Sequence, residues 1–352
     1  MTEKFVNRRF ATKLLLASAM TACVPMPGFA ASPELIAAAK AEGSVVWYTT
    51  MIVDQAVRPL VAAFEAKYPE IKVEFSRAGS GDTALKLIQE GQAGKPQADV
   101  FDGTATYASV GPAGFVEPYM PDADADYPPE LHDKDGNWHA LNLYFVTAGI
   151  NTDMVSAEDG PKTFEDLLDP KWQGKMVWST VPEPTAAPGF VGNVLMSMGE
   201  EKGMAYLKAL SAQNITNMTS SQRTVLDRVI VGDFPIGLSV FNHHVAISQA
   251  EGAPVDWLKI NPLASSASLV SLVKGGPHPN AGKLLVDFLI SKEGQEALAT
   301  TGYIPAHPQV PAADPSLKPS GAPDDFVANF MSPEVVAQSM PGWLEIMNAE
   351  FH

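Results

Sequence analysis

The chain has 352 residues, a formal net charge of −16 and one cysteine, Cys23. Residues 1–30 hold four of the 24 lysines and arginines and one of the 40 acidic residues, leaving 20 against 39, a net charge of −19 for the remainder. That balance argues against nucleic acid and anionic lipid as bulk electrostatic partners, and a remainder without cysteine excludes disulfides, zinc-thiolate sites and thiol nucleophiles.

The first thirty residues read as a bacterial export signal. Lys4, Arg8, Arg9 and Lys13 precede an apolar run, 14–20, that is too short to span a bilayer, and Gly28-Phe29-Ala30 suits a small-x-small cleavage site. Both a Sec signal and a twin-arginine signal at Arg8-Arg9 fit. The expectation is a soluble periplasmic product cut after Ala30, with lipid anchoring at Cys23, in an imperfect lipoprotein box, as the alternative. No later run is long and apolar enough for a transmembrane helix. The remaining length exceeds what one core usually organises, which predicts two lobes.

Strand-length apolar runs then alternate with helical patterns: strand 44–48, helix 57–67, strand 72–75, helix 82–90, strand 98–101. This is the rhythm of a βαβ lobe with a parallel sheet, whose ligand crevice lies at the carboxyl ends of the strands. Thr49-Thr50, Ala78-Gly79-Ser80-Gly81 and Asp102-Gly103-Thr104 are predicted to converge there. A polar, proline-bearing stretch, 118–137, precedes a first crossing between lobes at 140–146. A strand at 175–178, helices at 189–198, 201–210 and 224–231, and a strand at 236–241 follow. Residues 268–273 make a second crossing, helices 280–290 and 292–300 return to the first lobe, and a proline-rich strap, 305–323, leads to a terminal helix at 334–348. The division expected is a signal peptide at 1–30, lobe one at 31–143, lobe two at 144–268, a return segment at 269–300, and a strap and helix at 301–352. Two crossings predict a hinge and a cleft that closes on a ligand.

Several runs carry a family resemblance. They are Ala-Asp-Val-Phe at 98–101, Ile-Asn-Thr-Asp-Met-Val at 150–155, Pro-Lys-Thr-Phe-Glu-Asp-Leu-Leu-Asp-Pro-Lys-Trp-Gln-Gly-Lys at 161–175, Gly-Asp-Phe-Pro-Ile-Gly at 232–237, Glu-Gly-Ala-Pro-Val at 251–255 and Asp-Phe-Leu-Ile-Ser-Lys-Glu-Gly-Gln at 287–295. Together they resemble the periplasmic solute-binding proteins of ABC importers, within the ferric-binding group of the type II family. The resemblance implies a two-lobed α/β fold, each lobe a mostly parallel sheet flanked by helices. It also implies a monomeric, non-enzymatic receptor that captures a small molecule or ion and delivers it to an ABC permease in the inner membrane.

The ligand is less plainly written. Where the ferric-binding relatives carry an Asn-Tyr-Tyr run whose phenolates ligate the metal, this chain has Asn242-His243-His244, and imidazole suits softer or borderline divalent metals. One reading is therefore a bound metal ion held by His243, His244 and Asp102, although neighbours on a regular strand face opposite ways. The other is a small organic or phosphorylated anion. Thr49, Thr50, Ser80, Gly81 and Asp102 would meet it from lobe one; Thr185, Ala186, Ser221, Arg223, Asn242 and His243 from lobe two. Pro184-Thr185-Ala186-Ala187 resembles the relatives' anion-holding turn at a helix start. No resident cofactor is expected under this second reading.

Blander roles compete at each position. Arg77 suits a site or an ordinary salt bridge, Arg223 a site or an ordinary helix position, and Asp102 a ligand or the cap of the following helix. Trp138 and Tyr144 suit ligand stacking or hinge packing. His132, His139, His278 and His307, and the acidic loop of Asp122, Asp124 and Asp126, are expected to be solvated. A secreted hydrolase is the rival class, but the chain has no Gly-x-Ser-x-Gly elbow, no His-Glu-x-x-His and no phosphate loop. A sensor-coupled receptor uses the same fold.

Overall fold

The computed structural model describes residues 31–319, 322 and 325–351. The export segment, its cleavage site and Cys23 lie outside them. Among the described residues no helix is long and apolar enough to cross a membrane.

The first part of the chain runs α1 (Pro33–Glu42), β1 (Ser44–Thr49), α2 (Arg58–Lys67), β2 (Lys72–Arg77), α3 (Ser80–Gln92), β3 (Val100–Asp102) and α4 (Thr104–Val110). Local chemistry sets these boundaries. Ser32 caps α1 by accepting from the Leu35 amide, Pro33 sits in its first turn, and Gly43 ends it at a left-handed φ of 73°. β1 pairs in parallel with β2 on one side and β3 on the other. A short β4 (Val116–Glu117) and 3-10 turns lead to β5 (His139–Asn151).

The middle of the chain contributes β6 (Met176–Ser179), α5 (Ala187–Met198), α6 (Glu200–Ser211), β7 (Thr216–Met218), α7 (Gln222–Ile230), β8 (Ile236–Phe241), α8 (Asn242–Ala250) and β9 (Val255–Leu258). Then β10 (Leu263–Val273) returns, followed by α9 (Pro279–Ile290), α10 (Lys292–Ala299), β11 (Ile304–Pro305), β12 (Ala328–Phe330) and α11 (Pro333–Glu350).

The principal strands run in the order β2-β1-β3-β10-β5-β8-β6-β7. Its two ends are parallel, but its centre is the antiparallel pair β5 and β10, with β3 antiparallel to its neighbour β10 and β8 antiparallel to its neighbour β5. β5 contains the first segment expected to cross, 140–146; in β10 the change of core falls between Ala264 and Ala267, ahead of the expected 268–273. β5 passes from one core to the other: Ala140 and Leu141 belong to the core built around Trp47, Leu60 and Phe64, whereas Val146, Ala148 and Ile150 belong to the core built around Trp178, Leu207 and Ile236. Each fully buried leucine among these contributes about 1.5–3 kcal/mol. α11 packs Trp343 and Met347 into the second core.

Some expectations fall here. The pair His243 and His244 lies in the first turn of α8, not at a strand end, because β8 stops at Phe241. His139 is buried and its Nδ1 sits 2.8 Å from Asp124 Oδ1, so neither belongs to a solvated loop. His307 is 1 % exposed, its backbone N–H donating to Gln295 Oε1. Single charged or polar letters in proline-rich sequence signal exposure only until a second such residue, distant in sequence, supplies a buried partner.

Candidate functional site

The carboxyl ends of six strands face one cavity of about 460 Å³. From the first core come the loops after β1 (Thr50, Met51, Ile52), β2 (Arg77 to Ser80) and β3 (Gly103 to Ala105); from the second come those after β6 (Glu183 to Thr185), β7 (Ser221 to Arg223) and β8 (Phe241, His244). Tyr144 and Ser268, on the central strand pair, and Tyr303, after α10, complete the lining. This is the crevice position that parallel strands create.

On the first wall, Arg77 ends β2 and lines the cavity exposed; among the described residues it has no carboxylate partner. Next to it, α3 begins at Ser80 with Gly79 as its N-cap and no side-chain cap bond. Its first-turn amides are therefore free to meet an acceptor, and the helix dipole adds partial positive charge there. Gly103 shapes the neighbouring loop: its φ is 113°, and a Cβ there would stand 2.8 Å from Thr106 Oγ1 and 3.0 Å from Thr50 Cγ2. Only glycine closes that turn without strain.

Asp102 is a scaffold residue of this wall. Its Oδ1 accepts from the Thr50 amide at 2.9 Å and the Thr50 hydroxyl at 2.6 Å, pinning the β1 loop to the end of β3. It is fully buried and does not line the cavity. Burial raises its pKa, opposed by the bonds from Thr49 and Thr50. It does not cap α4, whose N-cap is Gly103.

The second wall is a mosaic of side chains. Ser221 caps α7 by accepting from the Thr224 amide, which leaves Gln222 and Arg223 in the first turn. Gln222 Nε2 donates to Thr185 Oγ1 at 2.9 Å and lies 3.4 Å from Glu183 Oε2. Arg223 is half committed, with Nε donating to Asp227 Oδ1 at 2.9 Å and a terminal nitrogen to Ser248 Oγ at 3.1 Å. His244 lines the cavity with its Nδ1 buried and unpartnered; burial, then the charge of Arg223, lowers its pKa to about 4, so it is neutral at pH 7.

Of the residues singled out in the sequence, the structure brings Thr50, Arg77, Ser80, Tyr144, Thr185, Ser221, Arg223 and His244 to the cavity. It does not bring Thr49, Gly81, Asp102, Ala186, Asn242 or His243 into its lining. Thr49 accepts from the Met51 amide, and Asn242 Nδ2 donates to Leu317 O at 2.9 Å. Ala186 is the buried N-cap of α5, without a side-chain bond. His243 is fully buried against Tyr144, their rings 5.8 Å apart and stacked, and burial pushes its pKa well down. Trp138 packs into the first core rather than facing the cavity. Sequence reading missed Glu183, Gln222, Phe241 and Tyr303. For Glu183 the signal was present: Pro182-Glu183-Pro184 stands just ahead of a helix start.

The proposed metal set does not assemble. Among the described residues no group of three or more His, Cys, Asp or Glu side chains could hold a metal ion. The phenols that line the cavity, Tyr144 and Tyr303, both have pKa values raised by burial.

Comparison with known proteins places this geometry. Residues 59–323 match the family described as bacterial extracellular solute-binding protein. The Fe(3+)-binding periplasmic protein of Serratia marcescens is 26 % identical over 313 residues, covering 85 % of this chain and 90 % of the relative. A putative 2-aminoethylphosphonate-binding periplasmic protein of Salmonella typhimurium is 24 % identical over 261 residues, 72 % of this chain and 74 % of the relative. The periplasmic binding protein AfuA of Actinobacillus pleuropneumoniae, solved with exogenous fructose-6-phosphate bound, superposes with a TM-score of 0.66 at 23 % identity, covering 88 % of this chain and 98 % of AfuA.

Proposed function

The chain belongs to the bacterial extracellular solute-binding proteins, and from that premise we propose that its cargo is a small organic anion with a phosphate, phosphonate or carboxylate head. Members of the family are periplasmic, bind small solutes for ABC permeases and perform no covalent chemistry; this protein is a transport receptor of that kind. The observation that carries the ligand class is Arg77, an uncompensated guanidinium facing the cavity beside the uncapped start of α3. A charge-assisted bond to the guanidinium and bonds from helix amides are what an oxyanion needs. Among the relatives, a phosphonate-binding and a sugar-phosphate-bound protein have cargo of this class, beside the Fe(3+)-binding one.

The mechanism is selection of a closed state. Residues 31–143 with 269–300 form one lobe and 144–268 the other, and β5 and β10 bend between them. A ligand that touches both walls stabilises closure by the contacts available only when the lobes meet. The receptor is monomeric, is cut after Ala30 and is presented to its permease closed. Isothermal titration with 2-aminoethylphosphonate, fructose 6-phosphate, citrate and ferric nitrilotriacetate tests the ligand class. Saturable binding of at least one organic anion, weakened by Arg77→Ala, supports it; binding of iron alone overturns it.

A further inference from the structure

Among the described residues, Glu183 is the one carboxylate that lines the cavity. It stands on the second wall, ahead of α5, with Gln222 as its neighbour at 3.4 Å and no cation paired with it among the described residues. A carboxylate there opposes a bare oxyanion, since like charges within one cavity repel. The volume, about 460 Å³, falls in the range of sites that enclose a drug-sized organic molecule rather than an inorganic ion. The two walls are thus unlike: one offers an unpaired cation and helix amides, the other a carboxylate flanked by an amide side chain, with Tyr144 and Phe241 as aromatic surface beside them.

We propose that Glu183 is a specificity-determining residue, which accepts a hydrogen bond from an ammonium or hydroxyl group on the organic body of the cargo while Arg77 and the start of α3 hold the anionic head. This rests on the anion reading above and narrows it: the cargo is a bifunctional molecule, an anionic head at one end and at least one N–H or O–H donor at the other. An analogue lacking the donor leaves the carboxylate desolvated and unpaired when the lobes close, and a site built to hydrogen-bond one group discriminates strongly against its absence. Gln222, held by Thr185, fixes the carboxylate's position and adds a second polar contact.

The test uses two matched pairs, 2-aminoethylphosphonate against propylphosphonate and glycerol 3-phosphate against propyl phosphate, titrated calorimetrically into wild type, Glu183→Gln, Glu183→Leu and Arg77→Ala. In wild type at least one donor-bearing member binds tenfold or more tightly than its partner. Preference in the first pair alone identifies an ammonium donor and in the second alone a hydroxyl. Glu183→Leu collapses the preference, and Glu183→Gln reduces it, more for the ammonium than for the hydroxyl. Equal affinities within both pairs, with binding still dependent on Arg77, overturn the role of Glu183 and leave the anion reading standing. A preference that survives Glu183→Leu also overturns it, as does failure of all four compounds to bind, which removes the anion reading as well only where fructose 6-phosphate and citrate also fail to bind.

Discussion

The two walls of the cleft present opposite solutions to ligand recognition. The wall from the first core is backbone-built: a strand ends, a glycine-bearing loop turns, a helix starts, and one arginine projects with no carboxylate partner among the described residues. The opposing wall is side-chain-built, with Gln222, Thr185 and Glu183 in contact and Arg223 already engaged by Asp227 and Ser248. A backbone wall recognises what all anions share. A side-chain wall separates one anion from another, because exchanging a residue changes its donors and acceptors without moving a helix.

This division predicts a ranking of effects. Arg77→Ala has the largest effect on affinity, about 1.5–3 kcal/mol as for a hydrogen bond to a charged group, measured by titration with the best-binding anion of the panel. A loss below 0.5 kcal/mol, on the order of experimental resolution for such a bond, would falsify the first wall as the anion seat. Gly103→Ala follows, at about 1–3 kcal/mol of folding stability, because its positive φ and the close Thr50 and Thr106 side chains leave no room for a Cβ. Urea denaturation checks it, and an unchanged midpoint shows that the turn does not need glycine.

His244 comes next, with an effect visible only against pH. Its pKa in the folded protein is about 4, below the ordinary histidine value, so the unfolded chain binds its proton more readily. Stability conferred by a neutral His244 is therefore complete above the ordinary value near 6.5 and is lost as pH falls toward 4. Thermal melts at pH 7 and pH 5 should show His244→Gln losing about 1–2 kcal/mol less than wild type across that interval; equal losses mean the ring is not desolvated as the structure has it. The smallest effect belongs to Arg223→Ala, about 0.5–1 kcal/mol in anion affinity, because its guanidinium is shared with Asp227 and Ser248. A larger effect than that of Arg77→Ala reverses the comparison between the walls.

Much of this fold was legible in the chain. Alternation of strand-length and helical runs announces parallel strands, and the loops after β1, β2 and β3 do meet at the cavity. What the pattern hides is which face a residue presents. Asp102 ends β3 and Thr50 follows β1 at the same edge, yet one is buried as an anchor for the other. His243 and His244 are adjacent, but the helix that begins at Asn242 sends the first into the core and leaves the second at the cavity. The pairing of Asp124 with His139 spans 15 residues, and that of Glu183 with Gln222 spans 39. Periodicity does not report such contacts, because it reads distances along one element rather than across a cleft.

The central claim, a receptor that closes on an organic anion seated against Arg77, meets its most direct test in native mass spectrometry of the protein released from its own periplasm, beside Arg77→Ala released the same way. The account predicts a retained small anionic organic molecule on the wild type and its absence from the variant. A retained metal ion or uncharged solute, or equal retention of the anion by both proteins, would contradict it.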